Sequence, residues 1–437
     1  MVILTPTAQL RRRLDTLVRR PDAWYAGFAI YAACVAAFSG PGLDHVWGIW
    51  AAGGYTLAAW IAAAFRVRAA QLAALAAAVA GALVAPLVWL ATREPMTPDV
   101  TVVARSGVLL LHHGTPYLPL GQLAHGGWLA YNPYLPVMAL FGVPKALGLP
   151  GILGDPRPWL AVATFLLLYA TFRVTTKNRA TALRAGTGRG TAVTLATLAI
   201  ASPIMAFPLA MGITDPPVIA LTCLALALLT RSGHRAAWQA AMVLGVVCAM
   251  KYTAWPVLAV LIVMVRVRDG SRAAIRFGAV TLGTAIALAA ALAPAALAAP
   301  DALFQNTVAY PLGLTGAVSP AQSPLPGHLL ATLGSGGHAA ALALLALAGL
   351  ALAVSLIAAP PKSPAKAAIR IALGLTALFA LSPATRFGYF CYPLALYGWV
   401  VLTGADRPVG PSTRFTAGAQ PEPRYPAPPD RPLAGVG

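Results

Sequence analysis

Apolar runs of roughly 15 to 24 residues alternate with short polar connectors along almost the whole chain, the spacing expected of helices that cross a bilayer. Lipid offers no hydrogen-bond partner, so each such run must satisfy its own backbone as a helix. Twelve runs read as spans: 24–39, 46–65, 71–91, 159–172, 192–209, 218–229, 236–250, 255–265, 277–297, 338–357, 371–381 and 390–402. A thirteenth, 131–148, is short and interrupted by Pro133, Pro136 and Pro144. Counting it as a span would put Arg173, Lys177, Arg179, Arg184 and Arg189 on the outer side, so it reads as a re-entrant or interfacial helix of an outer loop. Broken helices are tolerated at membrane depth only where protein or a cavity covers the freed backbone, and this segment is therefore expected to line a site. The pattern predicts an all-α polytopic membrane protein of about twelve transmembrane helices plus that re-entrant loop.

Composition excludes an ordinary soluble domain, because 59% of the 437 residues are hydrophobic and only 10% charged. The net charge of +19 would suit a nucleic-acid binder, but its placement argues otherwise. Lysines and arginines gather in alternate connectors, the positive-inside pattern. With those connectors cytoplasmic, Arg93, Arg105, Lys145, Arg157, Lys251 and Arg386 are the six of 31 basic residues left outside. The domain reading follows: a basic cytoplasmic N-terminus over 1–22, a membrane domain over 23–404 with outer loops at 93–158 and 299–337, and a disordered cytoplasmic tail over 405–437. The basic start ahead of the run to Phe38 imitates a secretory signal, but no small-residue cleavage site follows, and it reads as a retained first helix with both termini inside. Cys34, Cys223, Cys248 and Cys391 all lie in apolar runs without paired or ligand spacing, which speaks against disulfides and zinc.

Candidate chemistry concentrates in 97–149, which holds one aspartate, three histidines and the cluster Tyr131-Asn-Pro-Tyr-Leu-Pro136. The outer acids are Asp44, Glu94, Asp99, Asp155, Asp215 and Asp301. Asp99 follows a span and precedes a mixed helix at the bilayer surface, where a half-buried carboxylate can serve as a base. The competing reading is a helix cap, since Pro98-Asp99 is a helix start. Asp215, before Pro216 and Pro217, also reads as a cap. Glu94 and Asp155 flank prolines in expected surface turns. Arg105, Lys251 and Arg386 are outer cations that can bind a phosphate or snorkel to headgroups. His112, His113 and His125 lack metal-ligand spacing, and no metal is expected. Tyr117, Trp128, Tyr131 and Tyr134 suit either sugar stacking or an interfacial aromatic belt.

Several short blocks resemble one family. Asp99 followed by Gly107-Val-Leu-Leu-Leu-His-His-Gly114-Thr-Pro-Tyr117, then Tyr131 to Pro136, Gly245 to Lys251, and Arg386-Phe-Gly-Tyr-Phe-Cys-Tyr-Pro393 resemble the GT-C class of membrane glycosyltransferases, and most of all glycosyltransferase family 87 (DUF2029). The resemblance spans roughly Asp99 to Leu402. It implies an enzyme that transfers a hexose, mannose among them, or a pentose from a polyprenyl-phosphate donor to a lipid or cell-envelope glycan at the outer face of the plasma membrane. No cofactor is implied, and no nucleotide-binding glycine fingerprint is present. Within it Asp99 is the expected catalytic base and Lys251 and Arg386 are expected to hold the lipid phosphate. Arg105, Tyr131, Asn132, Tyr117 and Asp215 complete the expected substrate-binding set. The alternatives are a transporter or flippase of lipid-linked glycans, which would call for an internal repeat and mid-span charges, and a catalytically inactive relative. No repeat is visible.

Overall fold

The computed structural model describes residues 20–93, 96–123, 125–183, 197–231 and 233–403. Nearly all of the expected N-terminal segment, Glu94, part of the basic connector after Arg173, and the expected tail lie outside the described residues.

Helices dominate, and the only pairing of extended backbone among the described residues is two isolated bridges. In chain order the main helices are α1 (Pro21–Phe38), α2 (Leu43–Ala64), α3 (Arg68–Arg93), α4 (Pro98–His113), α5 (Pro156–Leu183), α6 (Pro203–Met211), α7 (Asp215–Leu229), α8 (His234–Cys248), α9 (Trp255–Asp269), α10 (Ser271–Leu292), α11 (Ser335–Ala358), α12 (Pro364–Leu381) and α13 (Cys391–Thr403). Their starts follow local rules: Pro occupies the first turn of α1, α4, α6, α7, α9 and α12, where its missing N–H costs nothing. Within α3 the ladder slips into a π turn over Ala80–Val84, just ahead of Pro86, which cannot donate.

Packing ranks these helices by depth. α7 is apolar all round and buried at every one of its 15 residues, which makes it the centre against which α5, α8, α12 and α13 pack. A second core joins α1, α2, α3 and α6. At the other extreme, α11 is buried at few positions and turns Leu344, Leu347, Leu350, Val354 and Ile357 outward. So much exposed aliphatic surface is stable only against lipid. The chain is an all-α membrane protein.

Every one of the twelve apolar runs overlaps helix, yet six helices among the described residues are long and apolar enough to cross a membrane: α2, α3, α5, α10, α11 and α12. The physical reason is length. A 15-residue helix such as α7, α8 or α9 rises about 22 Å, short of the ~30 Å hydrocarbon core.

The run 131–148 forms no long helix. It breaks into an extended stretch, a 3-10 turn over Pro136–Gly142 and a single turn over Val143–Ala146, because its prolines interrupt the ladder. This loop crosses α4 at a glycine pair. A Cβ on Gly107 would lie 2.1 Å from the carbonyl carbon of Gly142, and one on Gly142 would lie 2.0 Å from the carbonyl oxygen of Val103. Both obstacles are backbone, so neither can rotate away. Gly107→Ala is expected to cost about 1–3 kcal/mol or more through overpacking, whereas Gly121→Ala, with nothing within 4 Å, is expected to be neutral. Size-exclusion profiles and thermal unfolding of the two variants check this, and equal stability would mean that the crossing is looser than described.

Candidate active site

Four connectors meet at one cleft: those between α3 and α5, α8 and α9, α10 and α11, and α12 and α13. Its walls include Asp99, Tyr131, Tyr134, Lys251, Tyr310, Tyr389 and Arg386. The connectors rich in lysine and arginine are the alternate ones, none of which contributes to it.

Asp99 sits in the first turn of α4, where the helix dipole favours a carboxylate. It is not the cap. Thr97 takes that role: its hydroxyl oxygen accepts from the Val100 N–H at 3.4 Å, and the same hydroxyl donates to the Met211 carbonyl at 3.0 Å, tying the start of α4 to the end of α6. The Asp99 carboxylate is thereby free to face the cleft. Its Oδ1 accepts a short hydrogen bond from the Tyr134 hydroxyl, and its Oδ2 lies 3.4 Å from Nη1 of Arg386. It is the one carboxylate lining the cleft among the described residues.

Tyr134 owes its place to the broken loop. The Leu135 and Val137 amides donate to the carbonyls of Met250 and Ala249, at 2.9 and 3.0 Å, so that Tyr134 and Lys251 form an antiparallel bridge. The loop is held from behind by Asn132, a buried hub. Its amide nitrogen donates to Ser106 Oγ (2.9 Å) and the Pro116 carbonyl (3.1 Å), its Oδ1 accepts from the Tyr134 N–H (3.0 Å), and its backbone N–H donates to Asn306 Oδ1 (2.7 Å). The Tyr117 hydroxyl donates to the Tyr134 carbonyl at 2.9 Å. Burial, then the negative charge of Asp99, push the Tyr134 phenol well above its ordinary value, so it stays protonated and acts as a donor.

Lys251, in extended backbone between α8 and a 3-10 turn, is buried within the protein. Its ammonium donates to Asp215 Oδ1 in a short ion pair and reaches Thr214 Oγ1 at 3.5 Å. The rings of Tyr134 and Tyr389 lie 5.4 and 5.6 Å away, within cation–π range. Burial works against its charge, but Asp215 more than offsets this and holds its pKa above the ordinary value. The Tyr392 hydroxyl donates to the same Asp215 oxygen at 2.8 Å. The cap reading of Asp215 is thus corrected: buried at the start of α7, it is the counterion of Lys251 and makes no side-chain cap bond.

Arg386 is braced by the second long connector. The Thr385 N–H donates to the Ala321 carbonyl at 2.8 Å, the Ser323 N–H donates to the Thr385 carbonyl at 3.0 Å, and the Phe387 N–H donates to Ser323 Oγ at 3.0 Å. Burial opposes its charge, but Asp99 together with Tyr389, Tyr134 and Tyr310 outweighs that, so its pKa stays above the usual value. Tyr131 stacks face to face on Tyr310, with centroids 4.7 Å apart and planes 9° apart, closing one wall.

Of the residues expected from the sequence, Asp99, Tyr131, Lys251 and Arg386 come together at the cleft. Asp215 stands behind Lys251. Arg105, Asn132 and Tyr117 do not line it. Arg105 donates through Nη2 to the Ala130 carbonyl at 3.0 Å and through Nη1 to that of Leu129, which makes it a clamp on the loop. Asp155 is not in a surface turn but buried in an ion pair with Arg157 at 3.1 Å. His112 and His113 end α4 at exposed positions, and no group of three or more potential metal ligands occurs among the described residues. The Asp99–Tyr134 contact and the contribution of residues 310–321 to the cleft went unforeseen. The tyrosine in Asn-Pro-Tyr was visible, but nothing in its spacing pointed to Asp99, 35 positions away.

The model of glycosyltransferase family 87 matches residues 132–383, more than half of the chain. It takes in Asn132, Asp215 and Lys251, while Asp99 and Arg386 flank it on either side. No curated protein matches the chain.

Proposed function

The chain belongs to glycosyltransferase family 87, membrane glycosyltransferases, and from that premise we propose that it transfers a sugar from a polyprenyl-phosphate donor to a hydroxyl of a lipid or cell-envelope glycan. The chemistry is assigned to the outer face of the plasma membrane, with about twelve crossings and both termini cytoplasmic. The observation that carries this reading is Asp99, the single carboxylate at the cleft among the described residues, set between a tyrosine donor and a cation.

Asp99 takes the proton of the acceptor hydroxyl as its oxygen forms a bond to the anomeric carbon. The bond from that carbon to the phosphate oxygen breaks, and the polyprenyl phosphate leaves with the electron pair, inverting the configuration. Arg386 is the residue suited to the phosphate, because its contact with Asp99 is long at 3.4 Å and its planar fork can pair with phosphate oxygens. Lys251 spends its charge on Asp215, so its part is to hold Tyr134 and the floor of the cleft. Short helices such as α7 to α9 suit this arrangement, since a span that stops short leaves its connector below the membrane surface, within reach of the head of a lipid-anchored donor.

Sidedness is tested by labelling single cysteines in a chain lacking the natural ones. A cysteine at 96 or 97 is expected to react with an impermeant maleimide from the outer side, and one placed between Arg173 and Arg189 only after permeabilisation. Reaction of both from the same side would overturn the re-entrant reading of 131–148, and reaction of the first only after permeabilisation would overturn the outer-face assignment.

A further inference from the structure

Beside the Asp99 cleft, and sharing Ser319, Ala321 and Ala384 with it, lies a second hollow of about 330 Å³. By the same measure the space at Asp99 is about 70 Å³, so it is the neighbour that has room for a sugar ring. The two differ in chemistry. The cleft holds Asp99, Lys251 and Arg386, whereas the hollow has neither carboxylate, ammonium nor guanidinium in its lining. It offers instead Thr315, Gln322, His328 and His338.

Two of those groups point to a ligand. Thr315 Oγ1 and His338 Nε2 are buried polar atoms without a protein partner among the described residues, a state that native interiors rarely leave unanswered. Gly313 makes room for the His338 ring: its backbone is left-handed at φ +68, and a Cβ there would lie 2.8 Å from His338 Cε1. His328 Nδ1 is 3.0 Å from the Pro383 carbonyl, which can only accept, so Nδ1 is the donor in that contact. The hollow thus presents hydroxyl, amide and imidazole groups that both donate and accept. That mixture matches a polyol, whose hydroxyls do both, and not a phosphate, which needs cations.

We infer that this hollow is the acceptor subsite, binding a neutral, hydroxyl-rich sugar unit through Thr315 and His338 and presenting one of its hydroxyls across Ser319 and Ala321 to Asp99. The assignment rests on the transferase reading above and adds to it which side of the cleft each substrate enters. The phosphate of the donor belongs with Arg386, and the uncharged ring of the acceptor belongs with the 313–338 segment.

The test reads binding and transfer separately, on the full-length chain. Thr332 lines the hollow at an exposed position and its hydroxyl is turned to the Leu329 carbonyl, which makes Thr332→Cys a reporter that removes no ligand group. It is placed in a Cys34→Ser background, since the other three cysteines are buried. Maleimide labelling is followed with millimolar methyl glycosides of hexoses and pentoses, and with inorganic phosphate. At least one glycoside is expected to slow labelling several-fold, phosphate to have no effect, and Thr315→Val or Gly313→Ala to remove the protection. Equal labelling rates with every glycoside, or protection by phosphate, overturn the inference.

In the transfer assay, Thr315→Val is expected to raise KM for the acceptor several-fold with KM for the polyprenyl-phosphate donor unchanged. A rise in donor KM instead overturns the assignment. If the wild type moves no sugar while glycosides still protect the reporter, it is the transferase reading that fails and not the sugar site.

Discussion

Asp99→Asn is expected to lower sugar transfer by about 10²- to 10⁴-fold, the usual range for loss of a general base, while the protein still folds and inserts. The amide keeps the shape of the carboxylate and an oxygen that can accept from the Tyr134 hydroxyl, so the contact that positions the side chain survives. What is lost is the capacity to take a proton at neutral pH, together with part of the attraction for Arg386. The start of α4 is unaffected, because Thr97 and not Asp99 caps it. Turnover of a labelled polyprenyl-phosphate sugar in membranes, set against thermal unfolding of the purified variant, measures the two effects apart. A variant that turns over as fast as an active wild type would remove Asp99 from the mechanism.

Asp215→Asn is expected to be severe through a different route. The sequence suggests a helix cap, whose loss costs about 1 kcal/mol. In the structure the substitution strips the counterion from a buried ammonium, and breaking such a pair costs about 3–5 kcal/mol. The pH dependence separates the two. In the wild type Asp215 holds the Lys251 pKa above its ordinary value, so the stabilisation is complete at neutral pH and fades only above about 10. In the variant burial, the largest influence on Lys251, is opposed only by the weaker pull of Asp99 and Tyr252 and depresses that pKa, the unfolded chain binds more protons, and stability climbs as pH is raised from neutrality towards the lysine range. Unfolding temperatures in detergent across that range are the measurement. The double variant Asp215→Leu with Lys251→Met is expected to recover most of the stability, because replacing both charges leaves none unpaired. A small, pH-independent loss in the single variant would restore the cap reading.

How much of this was legible in the chain divides along a physical line. Periodicity and charge are local, and they sufficed for the helical class, for the alternation of basic and site-bearing connectors, and for reading 131–148 as broken where three prolines remove donors from the ladder. The short blocks around Asp99, Lys251 and Arg386 also announced themselves, since polar residues in so apolar a chain stand out by their cost. Partnership is not local. Thr97 and Asp99 are both good helix-start residues, and only the packing of α4 on the Met211 carbonyl decides which one caps and which one faces the cleft. Asp215 and Lys251 are 36 positions apart, and Asp99 and Arg386 are 287 apart, so no spacing rule could pair them. The same holds for Asn132, Tyr117 and Arg105, whose residue types suit a sugar or a phosphate but whose surroundings give them loop carbonyls and amides to hold. A polar side chain satisfies whichever partner the fold brings within about 3 Å, and that choice is made by tertiary structure alone.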